Sequence, residues 1–362
     1  MTDMKDNQNF LERWALQILK NSYDDNEFFV EGSELYERFQ SIEQKCIYKA
    51  AMAGMVSGLF CALTAIFSDP LYLEHLSLLE NWLYFTVLFG GGAFFTILEI
   101  AFLYKETLFH SAQMLSLMPS QKKPNMTDHI NQSVIKAALE IPNLRKPIFG
   151  IDPLHETSRI MLFIHTILYK AKITISNVII KMLIRRLFGR VITKAYVEFV
   201  GIPLFGCWNA WITKKILFET RLRIVGASCV DHFFSILYPN GLQDISLQQA
   251  QFQFALIRQK VLQSKSFHPN VMIFIQRFLH EVPYQTTELH QLSLKKLTTH
   301  LSPTQIKEFS KIYVMLMSLE GLKFHKRLQK LQPLGISFSD ELICNYFDFV
   351  AHGKPIPQQN ES

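Results

Sequence analysis

The side chains that could do chemistry in this chain are few and scattered. Twelve histidines are spread over 362 residues, and no two of them have the i, i+4 spacing that places a pair of metal ligands on one helix face. Asp231 and His232 are adjacent, but neighbouring helix residues point about 100° apart, so we do not expect them to share a proton path. No P-loop, HExxH, GxSxG or dinucleotide motif occurs. We therefore predict a non-enzymatic protein without a catalytic, cofactor or metal site.

Glu99 is the one titratable residue whose surroundings in the sequence are unusual. It lies inside the apolar run of residues 82–104. A carboxylate inside a membrane is a functional candidate by default. It is also only about a turn and a half from Lys105, at the end of the run. We therefore expect Glu99 to reach the membrane surface, or to pair with Lys49 of the preceding helix.

Two long apolar runs, residues 46–67 and 82–104, predict the helices that position Glu99, which lies in the second run. A spanning helix needs about 20 apolar residues, so both runs are long enough to form a membrane hairpin, and a buried soluble helix is the alternative for the first. Small residues recur every four positions in the first run, and three glycines follow one another in the second. Such residues let helices approach closely in lipid, so we expect these two faces to pack together. They are Ala50, Gly54, Gly58 and Ala62 in the first run, and Gly90, Gly91 and Gly92 in the second.

The positive charges beside the hairpin predict its orientation. Basic residues flank both outer ends, whereas the loop between the runs contains acids but no Lys or Arg. By the positive-inside rule, both chain termini are then cytoplasmic, and the protein is a multi-pass membrane protein. Five scattered cysteines are typical of reduced thiols. The basic flanking residues are Arg38, Lys45, Lys49, Lys105, Lys122 and Lys123.

A basic segment, residues 159–197, carries eight Lys and Arg and no acid. Lys170 and Lys172 would lie in mid-membrane if it spanned, at about 2.5–3.5 kcal/mol each, so we expect amphipathic helices on the membrane surface instead. A pair of soluble helices is the alternative. The high apolar content favours anionic lipid over nucleic acid as the partner. The residues expected to contact lipid headgroups are Lys170, Lys172, Lys181, Arg185, Arg186, Arg190 and Lys194.

The following apolar stretch, residues 199–212, is too short to span and predicts a re-entrant or buried segment. It contains the pattern Ile202-Pro203-x-x-Gly206-x-x-Asn209, followed by Thr213 and an Arg/Gly stretch to Gly226-Ala227. This pattern resembles the closing motif of EcsC-type bacterial proteins, over residues 130–235. The resemblance implies an α-helical, membrane-associated protein without an agreed biochemical activity. Pro203, Gly206 and Asn209 are the matching positions, with structural roles.

The C-terminal third shows a succession of helical patterns after a turn at residues 238–241. Ser302 and Pro303 predict one helix start, and Ser339 or Asp340 predicts the last. The order of helices around Glu320-Gly321 is similar to the TerB-like helical domain, in which acids near this turn can bind metal. Only Glu320 matches here, so the resemblance implies an interaction module.

These patterns together predict an all-α protein: a two-helix transmembrane hairpin with membrane-associated and cytoplasmic helical regions. The predicted regions are an acidic N-terminal cap (1–45), the hairpin (46–104), a basic membrane-associated domain (105–238), a C-terminal helical bundle (239–353) and a disordered tail (354–362). We expect a scaffold or regulatory protein that binds anionic lipid on the cytoplasmic face. An oligomeric transporter or channel component is the alternative. The sequence leaves open a protein partner at the C-terminal domain and a homo-oligomer.

Overall fold

The computed structural model describes residues 13–18, 32–72, 81–118, 124–155, 194–289, 294–299, 301–322, 331, 336, 338–354 and 356. Within them the fold is all-α, as predicted; extended pairing is limited to two isolated bridges. Ten helices carry labels here: α1 (Gly32–Ser68), α2 (Trp82–Ser116), α3 (Pro124–Ala138), α4 (Lys194–Leu237), α5 (Leu247–Ser264), α6 (Pro269–Glu281), α7 (Thr286–Leu289), α8 (Leu294–Thr298), α9 (Pro303–Leu319) and α10 (Asp340–His352).

Helices α1 and α2 form the predicted hairpin, and both extend beyond the apolar runs. Helix α1 begins at Gly32, well before residue 46, and ends at Ser68, where a 3₁₀ turn (Asp69–Leu71) follows. Helix α2 continues past Tyr104 to Ser116. Hydropathy falls where the surroundings change, while the helical hydrogen bonds continue. By length and composition, these two helices of the described chain could cross a membrane.

The hairpin helices run antiparallel in a constant register. Contacts at three levels pair residues in opposite chain order. They are an ion pair of 2.8 Å at the end away from the loop, two stacked rings with centroids 4.8 Å apart in the middle, and a glycine against a threonine towards the loop. These pairs are Lys49–Glu106, Phe60–Phe95 and Thr64–Gly91. The level of any residue on one helix therefore fixes the level of its neighbour on the other.

Helix α4 is the longest described helix, with 44 residues and Pro203 inside it. Residues 199–212 were expected to form a re-entrant or buried segment. They are instead part of this continuous helix, in which Gly206 and Asn209 are buried and Leu204 and Trp211 are exposed. Lys214 and Lys215 end the apolar run without ending the helical hydrogen bonding. Helix α4 runs antiparallel to α1, since Arg221 pairs with Glu43 at 3.0 Å, whereas Gly58, later in α1, meets Ile202, earlier in α4.

The hydrophobic core surrounds the C-terminal half of α4. Phe233 contacts Tyr346 of α10 edge to face, and Phe234 lies against Phe274 of α6. Helix α4 ends at the predicted turn, where Gly241 has a φ of +81°. The same core includes residues on both sides of this turn, and also Phe39 of α1. The hairpin and the C-terminal helices thus share one packed interior.

Three helix starts in the C-terminal third carry serine caps, and those at Ser302 and Ser339 were predicted. The Ser246 and Ser302 hydroxyls each accept a hydrogen bond from the backbone N–H three residues later, completed in both cases by a glutamine into a capping box. Pro303 occupies the first turn of α9, and Ser339 caps α10. Such caps satisfy backbone N–H groups that have no partner within the helix.

Candidate functional site

The buried carboxylate of Glu99 lies between α2 and α4. Its partner is Asn209, whose Nδ2 donates a hydrogen bond of 2.7 Å to Glu99 Oε1. Both residues are almost fully buried, at 5% and 3% exposure. The acid and the motif asparagine, which the sequence singled out separately, therefore form one polar contact between two helices.

The predicted pairing of Glu99 with Lys49 is wrong. Lys49 Nζ instead donates to Glu106 Oε2, at 2.8 Å. The constant register of the hairpin explains the difference, because Glu106 lies opposite Lys49, whereas Glu99 lies about two turns further towards the loop. Glu99 is thus held inside the helix bundle and does not reach the hairpin surface.

Gly54 allows this contact to form. A Cβ atom at Gly54 would lie 2.6 Å from the Phe205 carbonyl oxygen and 2.7 Å from Asn209 Nδ2. A Cβ at Gly58 would lie 2.8 Å from the Phe205 ring. All three distances are too short for a Cβ atom, so glycine at both positions lets α4 approach α1 this closely.

The expected partner of this glycine face was wrong, although the face itself packs as a close contact. Gly54 and Gly58 meet α4 and not the glycines of α2. A Cβ at Gly91 would meet Thr64, about three turns along α1 from Gly54, and Cβ atoms at Gly90 and Gly92 would meet nothing within 4 Å. Ala50 and Ala62, the other members of the predicted face, are buried.

The other two motif positions also lie on α4. A Cβ at Gly206 would lie 2.7 Å from Met55 Cγ and 3.0 Å from the Ala51 carbonyl oxygen of α1. Pro203 is exposed. Gly206 and Asn209 therefore hold α4 against the hairpin, consistent with structural roles.

Five lysines lie at one level of the three long helices, and we call them the lysine belt. All five are exposed, and the ion pairs Lys49–Glu106 and Glu43–Arg221 align this level across the helices. Aromatic side chains accompany them: Tyr48 is 68% exposed, and Lys215 Nζ lies 3.5 Å from the ring centroid of Trp211. The lysine belt consists of Lys45, Lys49, Lys105, Lys214 and Lys215.

Large apolar side chains are exposed almost entirely on one side of the lysine belt. In the described part of the chain, all but two of them lie on α1, α2, the turn after α1 or the first half of α4. The exceptions are Leu144 and Ile236. The most exposed of them are Phe67, Tyr48, Ile97 and Trp82. Contiguous exposed apolar surface of this kind marks contact with a membrane or another protein.

We call the part of the described chain that lies beyond the lysine belt, away from the hairpin loop, the helical domain. It contains buried ion pairs. Lys260 is completely buried, and its Nζ lies 2.6 Å from Glu320 Oε2. The Ser264 hydroxyl also donates to Glu320. The acid that matches the TerB-like pattern therefore has a protein cation as its partner. Among the described residues, no three His, Cys, Asp or Glu side chains are grouped closely enough to hold a metal ion.

Glu219 of α4 is the centre of a second charged cluster. His268 Nε2 lies 3.0 Å from Glu219 Oε1, and Arg223 Nε donates to the same oxygen at 2.9 Å. Burial alone would raise the pKa of Glu219, but His268 and Arg223 outweigh it and lower this pKa to about 2. Arg223 also donates to the Ser133 carbonyl, so the cluster joins α4, α6 and α3.

Asp231 and His232 have separate surroundings. Asp231 forms an ion pair with Arg277, while the His232 ring stacks on Phe349 with centroids 4.6 Å apart. The two side chains therefore do not act on a common group.

Most residues predicted to contact lipid headgroups lie outside the described residues. They are Lys170, Lys172, Lys181, Arg185, Arg186 and Arg190; Lys194 is the first residue of α4.

Comparisons of the chain with protein-family models, with curated proteins and with solved structures give no match.

Proposed function

We propose that this chain is an integral membrane protein whose hairpin anchors a helical scaffold or regulatory domain on the cytoplasmic face. The observation that carries the proposal is the confinement of exposed large apolar side chains to one side of the lysine belt. On α1, Lys49 and Phe67 are 18 residues apart, or about 27 Å along a helix, close to the thickness of a bilayer core.

The lysine belt supports contact with anionic lipid. Lysines and aromatic side chains at the end of an apolar helix occupy the headgroup region of a bilayer. Each exposed lysine near an anionic leaflet adds about 1 kcal/mol of attraction. The loop-side ends of α1 and α2 present Phe67 and Trp82 without a described cation. This asymmetry supports a cytoplasmic location for the belt and the domain.

A non-enzymatic role is supported by how the buried charges are used. Glu99, Glu219 and Glu320 each bond to another side chain of the protein and thereby join separate helices. A domain fixed in this way beside the membrane suits the docking of a protein partner, which we place on the C-terminal helices.

Alkaline extraction of membranes tests the anchor. We expect the full chain to remain in the membrane pellet at high pH. A protease site inserted into the loop at residues 73–80 and a second site at the C-terminus should be cut from opposite sides of the membrane. Release of the chain by carbonate, or cleavage of both sites from one side, would overturn the proposal.

Lipid selectivity tests the lysine belt. In detergent micelles, brominated phosphatidylglycerol should quench Trp211 fluorescence more strongly than brominated phosphatidylcholine, in a variant that retains only this tryptophan. Replacing the five belt lysines by glutamine should abolish the difference. The matched control replaces five exposed lysines of the helical domain, Lys136, Lys146, Lys296, Lys307 and Lys354, and should retain it. Equal quenching by both lipids in the unaltered belt would exclude the anionic preference.

A transporter or channel component is the second candidate, and the buried carboxylate of Glu99 is the observation that favours it. Helix α4 covers Gly54 and Gly58, so an oligomer would have to use another face, such as that of Gly90 and Gly92. This candidate requires Glu99→Gln to abolish a flux while the protein stays in the membrane. The scaffold proposal expects Glu99→Gln to leave the helix packing unchanged, because a glutamine oxygen still accepts the hydrogen bond from Asn209.

A further inference from the structure

We propose that the first half of α4 crosses the bilayer beside the hairpin, with its outer face against lipid acyl chains and with Lys194 on the loop side. This inference rests on the proposed membrane anchor. It adds a third membrane-spanning segment that the sequence did not predict.

The packing of α4 on α1 gives the position of Lys194. Residues further along α1 meet residues earlier in α4: Glu43 meets Arg221, Ala51 meets Gly206, and Gly58 meets Ile202. Both helices are continuous, so this antiparallel register extends to the first residue of α4. Lys194 then lies level with Phe67, in the last turn of α1 before the loop.

The length of the segment fits a bilayer. Lys194 and Lys214 are 20 residues apart, or about 30 Å along a helix, which equals the thickness of the hydrocarbon core. Lys214 belongs to the lysine belt on the domain side. Glu198 is the only charged residue between the two lysines, one turn from Lys194. A proline such as Pro203 is tolerated within membrane helices when neighbouring helices support the backbone.

The two faces of this segment differ as they should in lipid. Its polar residues Asn209 and Thr213 are buried against the hairpin, and Asn209 bonds to Glu99. Its exposed residues between 201 and 213 are all apolar, whereas the exposed face of a helix in water is polar. They are Pro203, Leu204, Cys207 and Trp211.

The inference changes the path of the chain. His155 follows Ile151, which is buried in the core of the helical domain. His155 and Lys194, which is the described member of the predicted headgroup residues, therefore lie on opposite sides of the membrane.

Cysteine accessibility tests this arrangement in the full chain. The five native cysteines are replaced, and single cysteines are introduced as Asp69→Cys at the loop, Lys194→Cys, and Ser235→Cys near the domain end of α4. Sealed membrane vesicles of both orientations are treated with a membrane-impermeant maleimide. We expect Lys194→Cys to label from the same side as Asp69→Cys, and Ser235→Cys only from the other.

Each other pattern has a distinct meaning. Labelling of Lys194→Cys together with Ser235→Cys, while Asp69→Cys labels oppositely, overturns the third crossing and leaves the hairpin intact. Labelling of Lys194→Cys only after detergent also overturns it, because that residue would then end inside the bilayer. Labelling of Asp69→Cys and Ser235→Cys from the same side overturns the proposed anchor itself.

A matched pair of charge substitutions gives a second test. Leu204 and Ile236 lie on the same helix with nearly equal exposure, 40% and 38%. Leu204 is midway between Lys194 and Lys214, so Leu204→Arg should shift the insertion equilibrium of this segment by roughly 100-fold. Loop-side labelling of Lys194→Cys should then be lost. Ile236→Arg should leave labelling unchanged, and equal labelling in both variants would overturn the inference.

Discussion

The two halves of helix α4 share one backbone but have different surroundings. From Gly201 to Thr213, buried positions alternate with exposed apolar ones. From Thr220 to Ala227, every residue is buried. The first half is held by the close approach of backbones at Gly54 and Gly206, whereas the second half carries ion pairs.

This difference shows which interaction limits stability in each region. In the proposed bilayer, lipid would surround the apolar side chains of the hairpin in either state, so that side-chain bulk limits how closely its helices approach. In the helical domain, buried charges are stable only while they are paired. Enlarging a side chain should therefore weaken the first region, and removing a charge should weaken the second.

The largest effect is expected at the buried pair of the helical domain. Lys260→Met leaves Glu320 buried without its cation and should lower the free energy of unfolding by about 3–5 kcal/mol. Thermal unfolding in detergent measures this loss. Lys354→Met removes the 66% exposed partner of Asp348 and should cost less than about 1 kcal/mol. Similar losses in the two variants would contradict the assigned role of burial.

The hairpin should respond to added bulk. Gly54→Ala places a methyl group against the Phe205 carbonyl, and we expect a loss of about 1–3 kcal/mol, measured by thermal unfolding in detergent. The control Gly90→Ala adds the same methyl group to open space, where alanine is the better helix former. A loss at Gly90 as large as that at Gly54 would refute the close approach of α4.

Acid should weaken the helical domain through Glu219. Its pKa is lowered in the folded state from 4.5 to about 2, so its stabilising contribution is complete above pH 4.5 and is lost as the pH falls towards 2. Because 31% of its side chain stays exposed, we expect a loss of no more than about 2 kcal/mol.

The measurement compares urea unfolding of the wild-type protein and Glu219→Gln at pH 6 and pH 3. The stability difference between them should shrink at pH 3. The exposed Glu341→Gln serves as the control and should differ equally little from wild type at both values. A difference between wild type and Glu219→Gln that is constant with pH would rule out this contribution.

The smallest effect is expected where the hairpin meets the last helix. The Tyr36 hydroxyl of α1 donates to the Val350 carbonyl of α10 at 3.0 Å. Tyr36→Phe should lower the free energy of unfolding by about 1 kcal/mol, measured by thermal unfolding. Tyr48→Phe, at a position 68% exposed, should have no effect. The reverse order of the two effects would argue against this junction.

Local features of the fold could be predicted from the sequence. The turn at residues 238–241 and the helix starts at Ser302 and Ser339 depend on residues within one or two turns. Their physical causes, burial of apolar side chains and satisfaction of free N–H groups, are readable from a short window. These elements were found nearly where they were expected.

Long-range pairings could not be predicted in the same way. Glu99 and Asn209 are 110 residues apart, and nothing in either neighbourhood specifies the other. Gly54 presents the same smooth face to any helix, so its spacing indicated close packing but not the partner. The continuation of α2 beyond Tyr104 was missed because polarity marks a change of surroundings. There, hydroxyls such as those of Thr107 and Ser111 donate to carbonyls one turn earlier.

Three helices continue without interruption from the hairpin level into the core of the domain. A swivel between anchor and domain would have to bend α1, α2 and α4 at the same place and break backbone hydrogen bonds in each. If the hairpin spans the bilayer as proposed, the hairpin and the domain therefore form one rigid unit without a hinge at the membrane surface. In that arrangement, a change in bilayer thickness that tilts the hairpin would also tilt Tyr36 and α10. The lipid would then set the height and angle at which the domain meets its surroundings.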